Sequence, residues 1–175
     1  MKPAMARFIR IALMTCLGAL ALAGCGHYQL GTGGKAAFGS VYIAPVQNRS
    51  EFPQAAAIVS QRIREAFLQD GRVRLADSPD HADAVLTVTL VKYHRDPGAV
   101  EANDTGLARK FNLYLNATAT LRDGHTGKAM FENRALEAQR EIFTDSGQQL
   151  AEYDAGPLLA GKLAESALHA ALDVW

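Results

Sequence analysis

Apolar residues occupy every second position from 111 to 121. In "KFNLYLNATATLR" (110 to 122), Phe111, Leu113, Leu115, Ala117, Ala119 and Leu121 share one face, and Asn112, Tyr114, Asn116, Thr118, Thr120 and Arg122 share the other. Period two is the repeat of a strand, whose side chains alternate between faces, so this segment reads as a half-buried strand and not a helix. "DGHTG" (123 to 127) supplies turn residues, and "KAMFENRALEAQREIF" (128 to 143) returns as a long antiparallel partner. At about 3.4 Å per residue each arm reaches roughly 40 Å, well beyond the ordinary strand, so an elongated sheet is expected.

The rest of the chain is built around that hairpin. "SVYIAPV" (40 to 46) is a short strand with Val41, Ile43 and Pro45 on one face. After the polar turn "QNRSEFP", a helix is expected from Pro53, a residue suited to a first helical turn. Its stripe is Ala56, Val59, Ile63, Ala66 and Phe67, and Gly71 closes it. "RVRLA" (72 to 76) is extended, and "AVLTVTLVKYHR" (84 to 95) is a stronger strand in which Leu86, Val88 and Leu90 alternate with Val85, Thr87, Thr89, Val91 and Tyr93. Residues 96 to 108 form a loop longer than a hairpin needs. A final helix over 156 to 175 stripes Leu159, Leu163, Ala167, Ala170 or Ala171, and Val174 along one side. The order β-α-β-β-β-α predicts an α+β two-layer sandwich: a mainly antiparallel four-stranded sheet with two helices on one face.

The N-terminus follows a different logic. Lys2, Arg7 and Arg10 precede an apolar run from Ile11 to Ala23, too short for a bilayer-spanning helix and of the length of a signal-peptide core. Leu22-Ala23-Gly24-Cys25 resembles the bacterial lipobox, in which the cysteine is acylated. The expected organisation is a lipoprotein signal peptide over 1 to 24, a lipidated Cys25 with a glycine-rich tether over 25 to 40, and one domain over 41 to 175. Ordinary cleavage after Ala21 or Ala23, leaving Cys25 a free thiol, is the alternative. Cys16 belongs to the discarded segment, so no disulfide is expected.

Removal of that segment changes the charge. The whole chain has 18 basic and 18 acidic residues, whereas the chain from Cys25 has 15 and 18. A net of −3 argues against general nucleic-acid binding, which needs a basic face to neutralise phosphates. The five histidines, His27, His81, His94, His125 and His169, are scattered without HxxxH or CxxC spacing, so no metal centre or other cofactor is expected. No nucleophile elbow or comparable motif marks a catalytic site, and the cluster Asp77, Asp80, His81 and Asp83 reads as a solvated turn. The remaining candidate is cationic: Lys92, Arg95, Arg109 and Lys110 flank the long loop, and Lys128 and Arg134 lie on the returning arm. Gathered at one region of the sheet, they would suit a phosphorylated or carboxylated lipid headgroup. The plainer alternative is that strand ends carry charge to stay wet and unpaired.

In order along the chain, the lipobox cysteine, "CGHYQLG", "VYIAPVQNRSEF", the alanine-rich helix, "ADAVLTVTL", "RKFNLYLNATATLRDGHTGKAMFENRA" and "LLAGKLAESAL" resemble the LptE family of lipopolysaccharide-assembly lipoproteins. The resemblance implies a non-enzymatic outer-membrane lipoprotein on the periplasmic side that stabilises and partly plugs the LptD β-barrel. It also implies lipopolysaccharide binding through basic residues, for which Lys92, Arg95, Lys128 and Arg134 are the candidates. Gly26 after the cysteine agrees with outer-membrane sorting. A periplasmic lipoprotein that binds a different partner, such as a cell-wall synthase, is the competing expectation.

Overall fold

The computed structural model describes residues 36–98, 110–143 and 147–173. The expected signal peptide, Cys25, residues 26–35 of the tether and residues 99–108 of the long loop lie outside them. The chain divides into the units Met1–Gly34 and Lys35–Trp175, and the described residues belong to the second.

That unit contains strands β1 (Ser40–Ile43), β2 (Gln47–Asn48), β3 (Arg74–Leu75), β4 (Ala84–Pro97), β5 (Lys110–Asp123) and β6 (Ala129–Phe143). Helix α1 spans Ala55–Asp70 and α2 spans Gln148–Leu172, with one 3-10 turn at Pro79–His81. The order across the sheet is β3-β1-β4-β5-β6, with β2 also paired to β4. The architecture is α+β, as the sequence pattern predicts, but the sheet is mixed and not an antiparallel set of four. β1 runs parallel to both β3 and β4, and β2 runs parallel to β4. The cause is α1, which carries the chain back so that β3 can start in the direction of β1; parallel neighbours need such a crossover. Two-residue strands such as β2 and β3 are too short to show any period.

Two interruptions re-aim side chains. Ile43 pairs with Leu86 and Gln47 with Thr89, so β1 and β2 together use one residue more than β4 does over the same stretch. Pro45, which has no N–H to give to a ladder, sits in that gap. The extra residue shifts the face, so Val46 is buried and Pro45 is exposed, contrary to the expected alternation. In β4 the register slips between Leu90 and Lys92, leaving Val91 unpaired and 48% exposed. Beyond it the faces exchange. Tyr93 and Arg95 fall opposite Leu115 and Leu113, on the buried side, and Lys92 and His94 fall opposite Asn116 and Tyr114.

The expected strand phase of β5 holds throughout: Leu113, Leu115, Ala117, Ala119 and Leu121 are buried. With Val41, Ile43, Leu86, Val88 and Leu90 they floor a single core that the two helices cover. α1 begins at Ala55, because Gln54 takes a left-handed conformation (φ 61°) and ends the preceding turn. It buries Ala55, Val59, Ile63 and Phe67, an i, i+4 series, and ends at Gly71, whose N–H donates to Phe67 O at 3.2 Å. α2 starts eight residues before the expected Gly156, with Pro157 inside it. Its buried stripe is Leu159, Ala160, Leu163, Ala164, Ala167, Leu168, Ala171 and Leu172, whose small members let α1 pack closely. Phe38 is also buried and Ser40 opens β1, so the folded body includes the last residues of the expected tether stretch.

Candidate functional site

The sheet face turned away from the helices is made by the other half of the β4–β6 alternation: Thr87, Thr89, Asn112, Tyr114, Asn116, Thr118 and Thr120, all half-buried. Its polar groups are cross-linked along the strands. Asn116 Nδ2 donates to Glu137 Oε2 at 3.0 Å, and Gln139 Nε2 donates to the Tyr114 hydroxyl at 3.1 Å. Lys110 pairs with Glu141 at 2.7 Å, and Arg122 pairs with Glu132. His94 stacks on Tyr114 with centroids 4.8 Å apart, and its Nδ1 is buried without a hydrogen bond. The result is a long surface of hydroxyls and amides carrying two ion pairs.

The four candidate cations do not gather. Lys92 lies on this open face, opposite Asn116, whereas Arg95 lies opposite Leu113 on the helix side. Lys128 follows the β5–β6 turn, where its carbonyl accepts from Asp123 N. Ten residues of β5 separate that turn from Leu113, roughly 34 Å at 3.4 Å per residue. Arg134 sits between these ends, opposite Ala119. It is also engaged: Nη1 donates to Ala170 O at 2.8 Å in the last turn of α2, and the guanidinium stands 4.2 Å over the Phe131 ring. A cation at a helix C-terminus satisfies carbonyls that lack intrahelical donors, so Arg134 holds α2 to the sheet. Among the described residues, the ammonium groups of Lys92 and Lys128 have no hydrogen bond or ion pair.

Arg95 is half-exposed and pairs with Glu152 of α2 at 2.8 Å. Glu152 also accepts from Gln148 Nε2 at 2.8 Å and from the Tyr93 hydroxyl at 3.3 Å. Burial pulls the Glu152 carboxyl upward, but these donors together with Arg95 outweigh it and hold the carboxyl below its ordinary value. Burial, with the Glu152 charge, pushes the Tyr93 phenol up to about 12. Neither group was marked by the sequence, because Tyr93 reaches this side only through the Val91 bulge and Glu152 lies in a part of α2 that precedes the apolar stripe.

The acidic cluster is also more organised than a solvated turn. Asp83 Oδ2 accepts from Gly39 N at 3.0 Å, Asp83 N donates to Ser40 Oγ at 3.0 Å, and Asp83 Oδ1 lies 3.4 Å from His125 Nε2. The Ser40 hydroxyl first, then His125 and the Gly39 N–H, keep the Asp83 carboxyl below its usual range. Asp83 thus joins the start of β1 to the β5–β6 turn. Among the described residues no three His, Cys, Asp or Glu side chains converge as metal ligands. Two surface grooves, of about 380 and 550 Å³, are open and lined by mixed charges.

A family model described as LptE, lipopolysaccharide-assembly, matches residues 38–169. The chain belongs to the LptE family. The match runs from the buried Phe38 to the last turn of α2, so it covers all six strands, α1 and all but the last three residues of α2. Solved structures similar to this LptE-family chain share its fold. The protein CT253 of Chlamydia trachomatis has a TM-score of 0.55 at 13% identity, over 77% of this chain and 95% of that one. The protein XCC0632 of Xanthomonas campestris has a TM-score of 0.52 at 12% identity, over 75% and 85%. A minor lipoprotein of Acinetobacter baumannii has a TM-score of 0.50 at 15% identity, over 77% and 93%. No curated protein matches the sequence closely enough to count as a relative.

Proposed function

We propose that this LptE-family chain is an outer-membrane lipoprotein, held on the periplasmic side by acyl chains on Cys25, that stabilises and partly plugs an LptD-type β-barrel and binds lipopolysaccharide during its assembly. The observation that carries the reading is the family match over residues 38–169. Physical features support it. A β-barrel lumen is polar, and the open face of β4–β6 offers hydroxyls and amides over strands of 14 and 15 residues, with two ion pairs on it, Lys110–Glu141 and Arg122–Glu132. The role needs no catalytic group. Lipid contact is proposed at the end of the sheet beside the long loop, through Arg95 on its helix side. Lys92 on the opposite face, Arg134 engaged with α2, and Lys128 at the far end form no common site with it.

Affinity isolation of the full lipidated chain in mild detergent tests the assembly role. The expected result is co-purification of a much larger outer-membrane barrel and, on depletion, loss of lipopolysaccharide from the cell surface. Recovery as a free monomer, or altered peptidoglycan cross-linking with intact surface lipopolysaccharide, would overturn it. Intact-mass analysis tests the anchor: Cys25 should carry acyl chains.

A further inference from the structure

Arg95 is the candidate cation whose charge is answered by the start of α2. Its Nη1 donates to Glu152 Oε1 at 2.8 Å, and the same carboxylate collects the bonds from Gln148 and Tyr93. Tyr93 stacks on Phe52, with ring centroids 4.8 Å apart, and the Phe52 ring closes against Gly156, where a Cβ would stand 3.0 Å from Cζ. Glu152 is therefore the polar link that ties the first two turns of α2 to the end of β4.

Apart from half-buried Ala151, which packs against the core, few apolar contacts hold those turns. From Gln148 to Asp154 no residue is fully buried, and Leu150 and Tyr153 are 52% and 77% exposed. Burial of the helix starts at Ala155. Pro157 has no N–H, so the Tyr153 carbonyl lacks its helical donor and the ladder is interrupted about one turn after Glu152. A segment with few buried apolar contacts and a broken ladder opens at low cost.

We propose that Glu152 is a built-in competitor for the anion site at Arg95: a phosphate or carboxylate group that takes the guanidinium displaces Glu152 and releases residues 148–154 of α2 from the sheet. The proposal rests on the assignment of lipid contact to Arg95. A guanidinium binds phosphate best through two parallel N–H donors, and here Nη1 is already given to Glu152. A second anion bound beside the unmoved carboxylate would face a like charge at close range, so ligand binding and latch closure oppose each other. By reciprocity, removing the carboxylate strengthens binding by the factor with which binding weakens the latch. The released segment carries Leu150 and Tyr153, apolar groups that an acyl chain covers and a free phosphate does not.

The test uses the full lipidated chain in detergent, with fluorescent lipopolysaccharide and inorganic pyrophosphate as separate probes. Glu152→Gln should bind lipopolysaccharide about fivefold more tightly, the low end of ordinary coupling because the pair is partly exposed. Tyr93→Phe should act in the same direction by less. Asp77→Asn, an equal change of net charge at the other end of β4, should leave affinity unchanged, and Arg95→Gln should weaken binding whether or not Glu152 is replaced. In the unmutated chain, lipopolysaccharide should speed amide exchange across residues 151–154, the first of the segment with helical acceptors. Pyrophosphate doing the same assigns the release to the headgroup alone, and lipopolysaccharide acting alone assigns part of it to acyl chains; both support the latch. Unchanged affinity of Glu152→Gln, or slower exchange of 151–154 on binding, overturns the latch while leaving lipid binding in place. Absence of lipopolysaccharide binding by every form overturns the assignment beneath it.

Discussion

Replacing Gly124 with alanine tests the tightest backbone approach in the fold. The Asp-Gly pair at 123 to 124 suggests a glycine needed for a left-handed turn, but Gly127 (φ 70°) holds that conformation and Gly124 does not. Gly124 is required for a different reason. A Cβ there would stand 2.9 Å from the carbonyl carbon of Ala82 and closer still to its oxygen. Carbon atoms rest about 3.5–4.0 Å apart and the Ala82 oxygen is the tighter contact, so the β5–β6 turn and the segment between the 3-10 turn and β4 would have to separate by about 1 Å or more, with no flexible side chain to absorb the change. Overpacking of this kind costs about 1–3 kcal/mol. The Gly124 N–H to Asp83 O bond of 2.8 Å would be stretched or lost, adding about 1 kcal/mol. At about 3 °C per kcal/mol for a domain of this size, a fall of roughly 6–12 °C in Tm is expected. Gly127→Asn is the control, since asparagine tolerates the left-handed region and a Cβ there meets nothing within 4 Å; its Tm should stay within about 2 °C of the parent. Thermal melts by circular dichroism decide the matter, and a Gly124→Ala variant that melts with the parent would refute the close docking of the β5–β6 turn on Ala82.

Leu115→Asp places a charge in a fully buried position and should leave the domain unfolded at room temperature by circular dichroism; a normal melting curve would refute the strand phase. Arg134→Ala should lower stability by about 1–2 kcal/mol in urea titration, through loss of the bond to Ala170 O and the stack on Phe131, whereas Lys128→Ala should change it by less than about 0.5 kcal/mol. Asp70 and Asp173 are both held below the ordinary carboxylate range, chiefly by hydrogen bonds from Arg72. A depressed folded-state pKa contributes stability above the unfolded value near 4 that is lost as pH falls through the lower folded value. The urea midpoint should therefore drop below about pH 4, and Arg72→Gln should flatten that acid limb. At the other extreme, Tyr93 is raised to about 12, so its contribution is complete below pH 10 and lost between about pH 10 and 12; Tyr93→Phe should remove that loss.

Much of the architecture is a local property of the sequence. Burial of one face must repeat with the period of the element, so the alternation of β5 names its buried residues one by one. The stripe of α1 names Val59, Ile63 and Phe67, and that of α2 names Leu159, Leu163, Ala167 and Ala171 but misses its neighbours Ala160, Ala164, Leu168 and Leu172. What failed did so where the period breaks. Pro45 and Val91 each add a residue to one strand, and from those points onward every inward and outward assignment exchanges, which is why Tyr93 and Arg95 turned to the helix side. The parallel placement of β1 beside β3 and β4 involves two- to four-residue strands whose partners lie dozens of positions away, and no local repeat encodes a long-range pairing. The early start of α2 was hidden because its first two turns bury no stripe. The family resemblance is legible in the chain itself, as is the lipobox-like pattern Leu22-Ala23-Gly24-Cys25 on which the proposed acylation rests, since each is a pattern of neighbouring residue types. Whether a cation is free or already engaged is decided only in three dimensions. Arg134 is taken up by a helix end and Arg95 by Glu152, because charge compensation depends on distance through space and not along the chain.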